Sequence, residues 1–200
     1  MLGAVWLFVY GLPIEFYKEK QKGLNMSNFV YIAQSLDGYI ADKDGGIDWL
    51  LEIPNPDDSD FGFGEFMNRI DAVIMGRKTF ESVMKFDIWI YTKPVYVVSA
   101  SLKNLPEKYR EKAGLLNLEP RQIIDTLKND GMENLYIDGG ALIQSFLAED
   151  LIDELIITTI PVLLGGGIPL FDKLRNPLKF RHIKTEALTD LLVKSYYRRE

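Results

Sequence analysis

The stretch DAVIMGRKTFESV, residues 71–83, reads as a short buried strand that turns at a glycine into a helix. Asp71–Met75 is an apolar run too short for a helix, Gly76 ends it, and Thr79–Phe86 continues at helical spacing. The same arrangement returns at YIDGGALIQSFL, residues 136–147, with a strand over Leu135–Asp138, the pair Gly139-Gly140 and a helix over Ala141–Glu149. Working outward, the spacing predicts strands at Phe29–Ser35, Tyr39–Ala41, Val95–Ser99 and Leu155–Ile160. It predicts helices over Asp60–Ile70, where Phe63, Phe66, Met67 and Ile70 share a face, and over Pro120–Asp130. Phe180–Leu188 and Leu191–Arg198, parted by Thr189-Asp190, read as a closing β-hairpin. Strands that alternate with helices imply an α/β domain: a mainly parallel sheet with helices on both faces, the hairpin adding an antiparallel edge.

Composition narrows the chemistry. The chain has 200 residues, 47% of them hydrophobic, no cysteine, one histidine and a net charge of -6. Without cysteine there is no disulfide framework, thiolate nucleophile or Cys-based zinc site. His182 alone excludes a multi-histidine metal site, so no metal is expected, and its place in an alternating run marks it as a strand residue. A cysteine-free chain fits a reducing cytoplasm. The acidic balance argues against nucleic acid as a partner, because such proteins need a clustered basic face. Any anionic ligand must therefore be held by local features.

Residues 1–25 differ from the rest in composition. The apolar run from Met1 to Ile14 is shorter than the roughly 20 residues of a membrane span. Lys18, Lys20 and Lys22 follow this run rather than precede it, unlike a signal peptide. The preferred reading is an extension of unknown role appended to one domain over 26–200; a packing helix, or a weak membrane or partner contact, stays open. The segment holds three lysines and two glutamates, which leaves the domain 20 basic and 27 acidic side chains, or -7.

Three predicted strands end in groups suited to a ligand. In an open α/β sheet, ligands bind at the carboxyl ends of the strands. At Gly76-Arg77-Lys78-Thr79, the glycine allows close approach, the helix start offers N–H groups, and two cations and a hydroxyl stand beside them. A plain helix cap with solvated cations is the competing reading. Ser99 and Ser101 end a second strand with hydroxyls, and Gly139-Gly140 ends a third, suiting either a pyrophosphate or a tight turn. Neither turn is a dinucleotide-binding fingerprint, and Gly62-Phe63-Gly64 lacks the third glycine and the preceding strand.

Asp60 stands on the apolar stripe of its predicted helix. A carboxyl there would be partly desolvated, with its pKa raised toward proton transfer near neutral pH. As an aspartate at a helix start it serves equally as a cap.

Together these residues resemble the dihydrofolate reductase-like superfamily, above all the branch that contains the reductase domain of riboflavin biosynthesis and its stand-alone relatives. The resemblance runs from about Phe29 to Arg198 and is carried by IAQSLDGYIA (32–41), DAVIMGRKTFESV (71–83), YIDGGALIQSFL (136–147) and TTIPVLLGGGIPLF (158–171). It implies NADPH-dependent hydride transfer to a small-molecule substrate, in a homodimer. Ala33 and Ile40 then look like backbone contacts to the nicotinamide carboxamide. Gly76, Arg77, Lys78 and Thr79 look like the phosphate-binding turn, with Arg77 a candidate for the 2′-phosphate. Ser99 and Ser101 would flank the adenosine, and Gly139, Gly140, Ala141 and Leu142 would cradle the pyrophosphate. One departure is that Asp138 precedes only two glycines and Ala141 follows, where the family often has a third glycine and a basic residue. That removes one positive contact to the cofactor.

The resemblance also favours a catalytic reading of Asp60, with Thr158 as its hydrogen-bonding partner. Asp37, after Ser35, resembles the branch's substrate-facing aspartate, although it also reads as a turn residue. Gly165 and Gly166 lie in a late loop that could hold a substrate phosphate or simply connect strands. Trp49 could wall the pocket or fill the core. The implied reaction is reduction of a small heterocycle, with 5-amino-6-(5-phosphoribosylamino)uracil of riboflavin biosynthesis the candidate substrate. Dihydrofolate reduction and non-catalytic nucleotide binding are the alternatives. The deaminase chemistry of the bifunctional riboflavin enzyme is excluded, since its zinc needs histidine and cysteine.

Overall fold

A computed structural model describes residues 27–55, 58–86 and 89–200 of the chain. Readings of residues 1–25 lie outside the described residues. The strands in chain order are β1 (Ser27–Ser35), β2 (Tyr39–Ala41), β3 (Ala72–Gly76), β4 (Val95–Val98), β5 (Ala113–Leu116), β6 (Asn134–Asp138), β7 (Glu154–Ile160), β8 (Ile168–Pro169), β9 (Phe180–Ala187) and β10 (Val193–Arg199). The helices are α1 (Asp48–Leu51), α2 (Phe63–Asn68), α3 (Arg77–Val83), α4 (Pro120–Asn129) and α5 (Gly140–Ala148), with a 3₁₀ turn at Glu107–Tyr109.

Eight strands form one sheet in the order β5-β4-β3-β6-β1-β7-β10-β9. The first six run parallel, and β10 and β9 close the edge antiparallel, as the sequence predicts. β2 and β8 pair separately. Alternation along the strands feeds two cores. Val73, Met75, Phe29 and Tyr136 face one layer with Phe66 and Met67 of α2 and Phe80 of α3. Ala72, Ile74, Val30 and Ile137 face the other, with Ile123 and Leu127 of α4 and Ile143 and Phe146 of α5. β3 is therefore apolar throughout, as a strand covered on both faces must be.

α1, β5, β8 and the 3₁₀ turn go beyond the elements the spacing predicts, and one predicted helix is shorter. α2 starts at Phe63 rather than Asp60, because Phe61 (φ 51°) and Gly62 (φ 83°) are left-handed and cannot belong to the helix. β5 has no clear signature in its sequence, which contains a glycine. Gly114 pairs with Tyr96, and a Cβ there would lie 3.0 Å from the Tyr96 ring, so the neighbouring strand supplies the side chain that β5 lacks.

Candidate active site

The carboxyl ends of β3, β4 and β6 lie side by side, since Gly76 pairs with Val98 and Met75 with Asp138. Their turns touch through side chains. Gly139 has φ 95°, and a Cβ there would collide with Thr79 Oγ1. A Cβ at Gly140 would lie 2.6 Å from Ile40 Cδ1. Both glycines thus admit side chains of the turn after β3 and of β2, and this joins three motifs that are distant in sequence.

Groups chemically suited to an anion surround that junction. No side chain caps α5, so the N–H groups of Gly140, Ala141 and Leu142 face outward with the positive end of the helix. Thr79 Oγ1 makes no hydrogen bond among the described residues. Exposed Arg77 donates to Ser101 Oγ at 3.2 Å and pairs with Glu81 at 3.4 Å, and Lys78 is exposed beside it. Ser99 is different: its hydroxyl is buried and accepts from the N–H groups of Ser101 and Leu102 at 3.3 and 3.0 Å. It shapes the turn, whereas the exposed Ser101 hydroxyl meets Arg77.

The carboxylates contradict two expectations. Asp60 is exposed, and its oxygens accept from the N–H groups of Gly62 and Gly64 at 2.8 and 2.9 Å. Those bonds, led by Gly64, hold its carboxyl below the usual range rather than above it. Gly62 is the N-cap of α2, and Asp60, two residues earlier, supports that turn through the Gly62 and Gly64 N–H groups; no hydrogen bond joins Asp60 to Thr158. Thr158 lies on β7 in register with Ala33 of β1 and Lys194 of β10.

Asp37 is occupied by the chain's own late loop. Its carboxylate accepts from Ser35 Oγ at 2.6 Å, Leu164 N–H at 3.1 Å and Gly165 N–H at 2.8 Å, which lowers its pKa, the Ser35 bond most. Ser35, fully buried, also accepts from Tyr39 N–H at 2.9 Å. Asp37, Ser35 and Gly165 therefore form one tie across the start of the β2–β8 pair. Gly165 gives its N–H to that tie, so it cannot offer the same group to a substrate phosphate. Gly166 packs against the Lys43 stem. Trp49 is half-buried on α1, with its indole N–H enclosed and without a partner among the described residues. His182 is an exposed strand residue beside Thr185 and Tyr197, as its sequence context indicates.

The sequence reading missed two groups. Asp138, at the end of β6, accepts from Tyr91 Oη at 3.2 Å, and desolvation pushes its carboxyl up to about 6. Lys194 of β10 is 2% exposed, and its ammonium donates to the Phe61 carbonyl and to Tyr31 Oη at 3.2 Å. Its signal lay in the hairpin's alternation, which sets Lys194 on the same inward face as buried Leu192.

This fold is that of the dihydrofolate reductase-like class: a dihydrofolate reductase from Enterococcus faecalis, solved with NADP(H), superposes with TM-score 0.62 over 88% of this chain and 99% of its own, at 16% identity. Within that class the chain belongs to the RibD C-terminal domain family, which it matches over residues 29–194. The uncharacterized protein YwjB of Bacillus subtilis (strain 168) is 41% identical over 173 residues, which span 84% of this chain and 96% of that one. A candidate riboflavin biosynthesis protein from Shewanella sp. PV-4 is 49% identical, with TM-score 0.85 over 88% of this chain and 99% of its own. The Thermotoga maritima diaminohydroxyphosphoribosylaminopyrimidine deaminase/5-amino-6-(5-phosphoribosylamino)uracil reductase shares the fold at 18% identity, with TM-score 0.68 over 93% of this chain and 60% of its own.

Proposed function

We propose that the protein is an NADPH-dependent reductase of a small heterocyclic substrate, with 5-amino-6-(5-phosphoribosylamino)uracil of riboflavin biosynthesis as its candidate. The observation that carries this reading is the packing of Thr79 on Gly139, which sets an uncapped helix start beside Arg77 and Ser101 at the carboxyl ends of β3, β4 and β6. That donor set fits a dinucleotide with a further phosphate. Family membership supports the reading, as do the uracil reductase named in the Thermotoga protein and the NADP(H) carried by the Enterococcus enzyme.

NADPH, when bound, supplies the hydride. The chain's own residues bind and orient it. The N–H groups of Gly140, Ala141 and Leu142 would hold the pyrophosphate, with the Thr79 hydroxyl beside them. The guanidinium of Arg77, with Ser101, would hold the 2′-phosphate. Ala33 and Ile40 would offer backbone groups to the carboxamide. Burial raises the Asp138 carboxyl to about 6, toward the range of proton transfer, whereas backbone N–H bonds hold Asp60 below the usual carboxylate range.

Nicotinamide fluorescence tests the reading. NADPH is expected to bind saturably, about tenfold or more weakly in Arg77→Ala, the loss expected for a charge-assisted phosphate contact. NADPH consumption should be faster with the ribosylaminopyrimidine than with dihydrofolate. The absence of saturable NADPH binding would reject the proposal. A cytoplasmic location belongs to the same reading; among the described residues no helix is long and apolar enough to cross a membrane.

A further inference from the structure

A cavity of about 440 Å³ lies between α2 and the β7–β10–β9 side of the sheet, large enough for a small organic ligand. Most of the charge on its walls is internally paired. Glu154 accepts from Arg69 at 2.9 Å and Arg198 at 2.6 Å, while Glu186 pairs with Lys184 and accepts from Tyr196 Oη at 2.9 Å. Glu65 is exposed on α2.

Lys194 stands apart from these pairs. Its ammonium lies 5.3 Å from the Tyr31 ring centre and 5.9 Å from that of Tyr196. It forms no ion pair among the described residues, and Glu186, Asp60 and Glu65 act on it only at a distance. Phe61 O and Tyr31 Oη use two of its three N–H donors, leaving one without an acceptor among the described residues. A buried ammonium without a counter-ion is costly, and burial draws Lys194 below the usual lysine range. An anion in the cavity would offset that cost.

We infer that this cavity binds a flat ring carrying an anionic oxygen, as carboxylate or phosphate ester, with Lys194 as counter-ion and Tyr31 and Tyr196 as aromatic walls. Strand register connects the cavity to the proposed reductase site. Lys194 pairs with Thr158, Thr158 pairs with Ala33, and Phe61, whose carbonyl Lys194 holds, follows Asp60. That the ligand is the reductase's own substrate rests on the function proposed above; the anion site does not.

The full chain should be titrated with benzoate and, separately, with phenyl phosphate. Binding is followed by calorimetry and the Lys194 Nζ signal by nitrogen-15 NMR. Saturable binding of at least one probe is expected, with a shift of that signal, and the tighter probe tells carboxylate from phosphate. Lys194→Met, close in volume, should weaken binding about tenfold or more, as loss of one partner of a buried charge pair does. Unchanged affinity in folded Lys194→Met overturns the site. Should that variant fail to fold, the wild-type chain decides: no saturable binding, or a Lys194 signal unmoved at saturation, overturns it. A chain that binds NADPH but neither probe loses the anion site alone; one that binds a probe but not NADPH keeps the site and loses the reductase reading.

Discussion

Asp138 carries a charge where the sheet offers little to solvate it. Tyr91 donates to it and Gly139 N–H assists, but no cation among the described residues pairs with it, so desolvation dominates and raises its pKa from 3.8 to about 6. The folded state then holds a proton that the unfolded state sheds between those values. Its contribution is therefore most favourable below pH 4 and falls as pH rises toward 6. The cost at neutral pH is at most about 3 kcal/mol. Asp138→Asn keeps an acceptor for Tyr91 without the charge. It should melt several degrees above the parent at pH 7.5, since ~1 kcal/mol moves a domain of this size by about 2–4 °C, and close to it at pH 4. Thermal denaturation at both pH values checks this, and an equal offset at both would contradict it. Asp37 has the opposite sign, because its bonds to Ser35, Gly165 and Leu164 lower its pKa and are lost on acidification.

At the scale of elements, the segment from Pro161 to Gly167 is built as a strap. Asp37 grips the N–H groups of Leu164 and Gly165, and Gly167 lies so close to the Ala41 carbonyl that a Cβ would collide with it. The strap leads directly into β8, which pairs with β2. Asp37→Ala should therefore speed amide hydrogen exchange at Leu164 and Gly165 by about tenfold, the scale of losing bonds to an ionised acceptor. Exchange at Ile156 and Ile157 of β7, inside the sheet, should stay unchanged. An equal rise in both regions would mean a global loss of stability rather than release of the strap. The hairpin of β9 and β10 has a different role. Its β10 lies against β7, which brings Lys194 opposite Thr158, while β9 is largely exposed.

For the whole molecule, an acidic chain gathers groups suited to an anion in two places: the junction of turns after β3 and β6, and Lys194 beneath α2. Glu154 couples the cavity edge to the sheet by meeting both Arg69 after α2 and Arg198 of β10. The resemblance to the riboflavin-pathway branch implies a homodimer, and sedimentation equilibrium should give twice the chain mass of 22.9 kDa; a monomer at every concentration would contradict it. Much of the architecture was legible in the sequence, because period-two and helical spacing and glycine turns are local properties of the chain. So were Arg77, Thr79 and the two glycines, whose residue types announce a strand-to-helix turn. The state of each carboxylate was not legible. The spacing leaves Asp60 open between proton carrier and cap, and in the structure backbone N–H groups hold its carboxyl below the usual range, while burial raises that of Asp138. Lys194 likewise read as an ordinary strand residue. Sequence by itself determined the order of most elements and the strand-to-helix turns at Gly76 and Gly139. Tertiary structure alone decided which charges are solvated, paired or stranded, because desolvation and hydrogen bonding depend on neighbours brought together from distant parts of the chain.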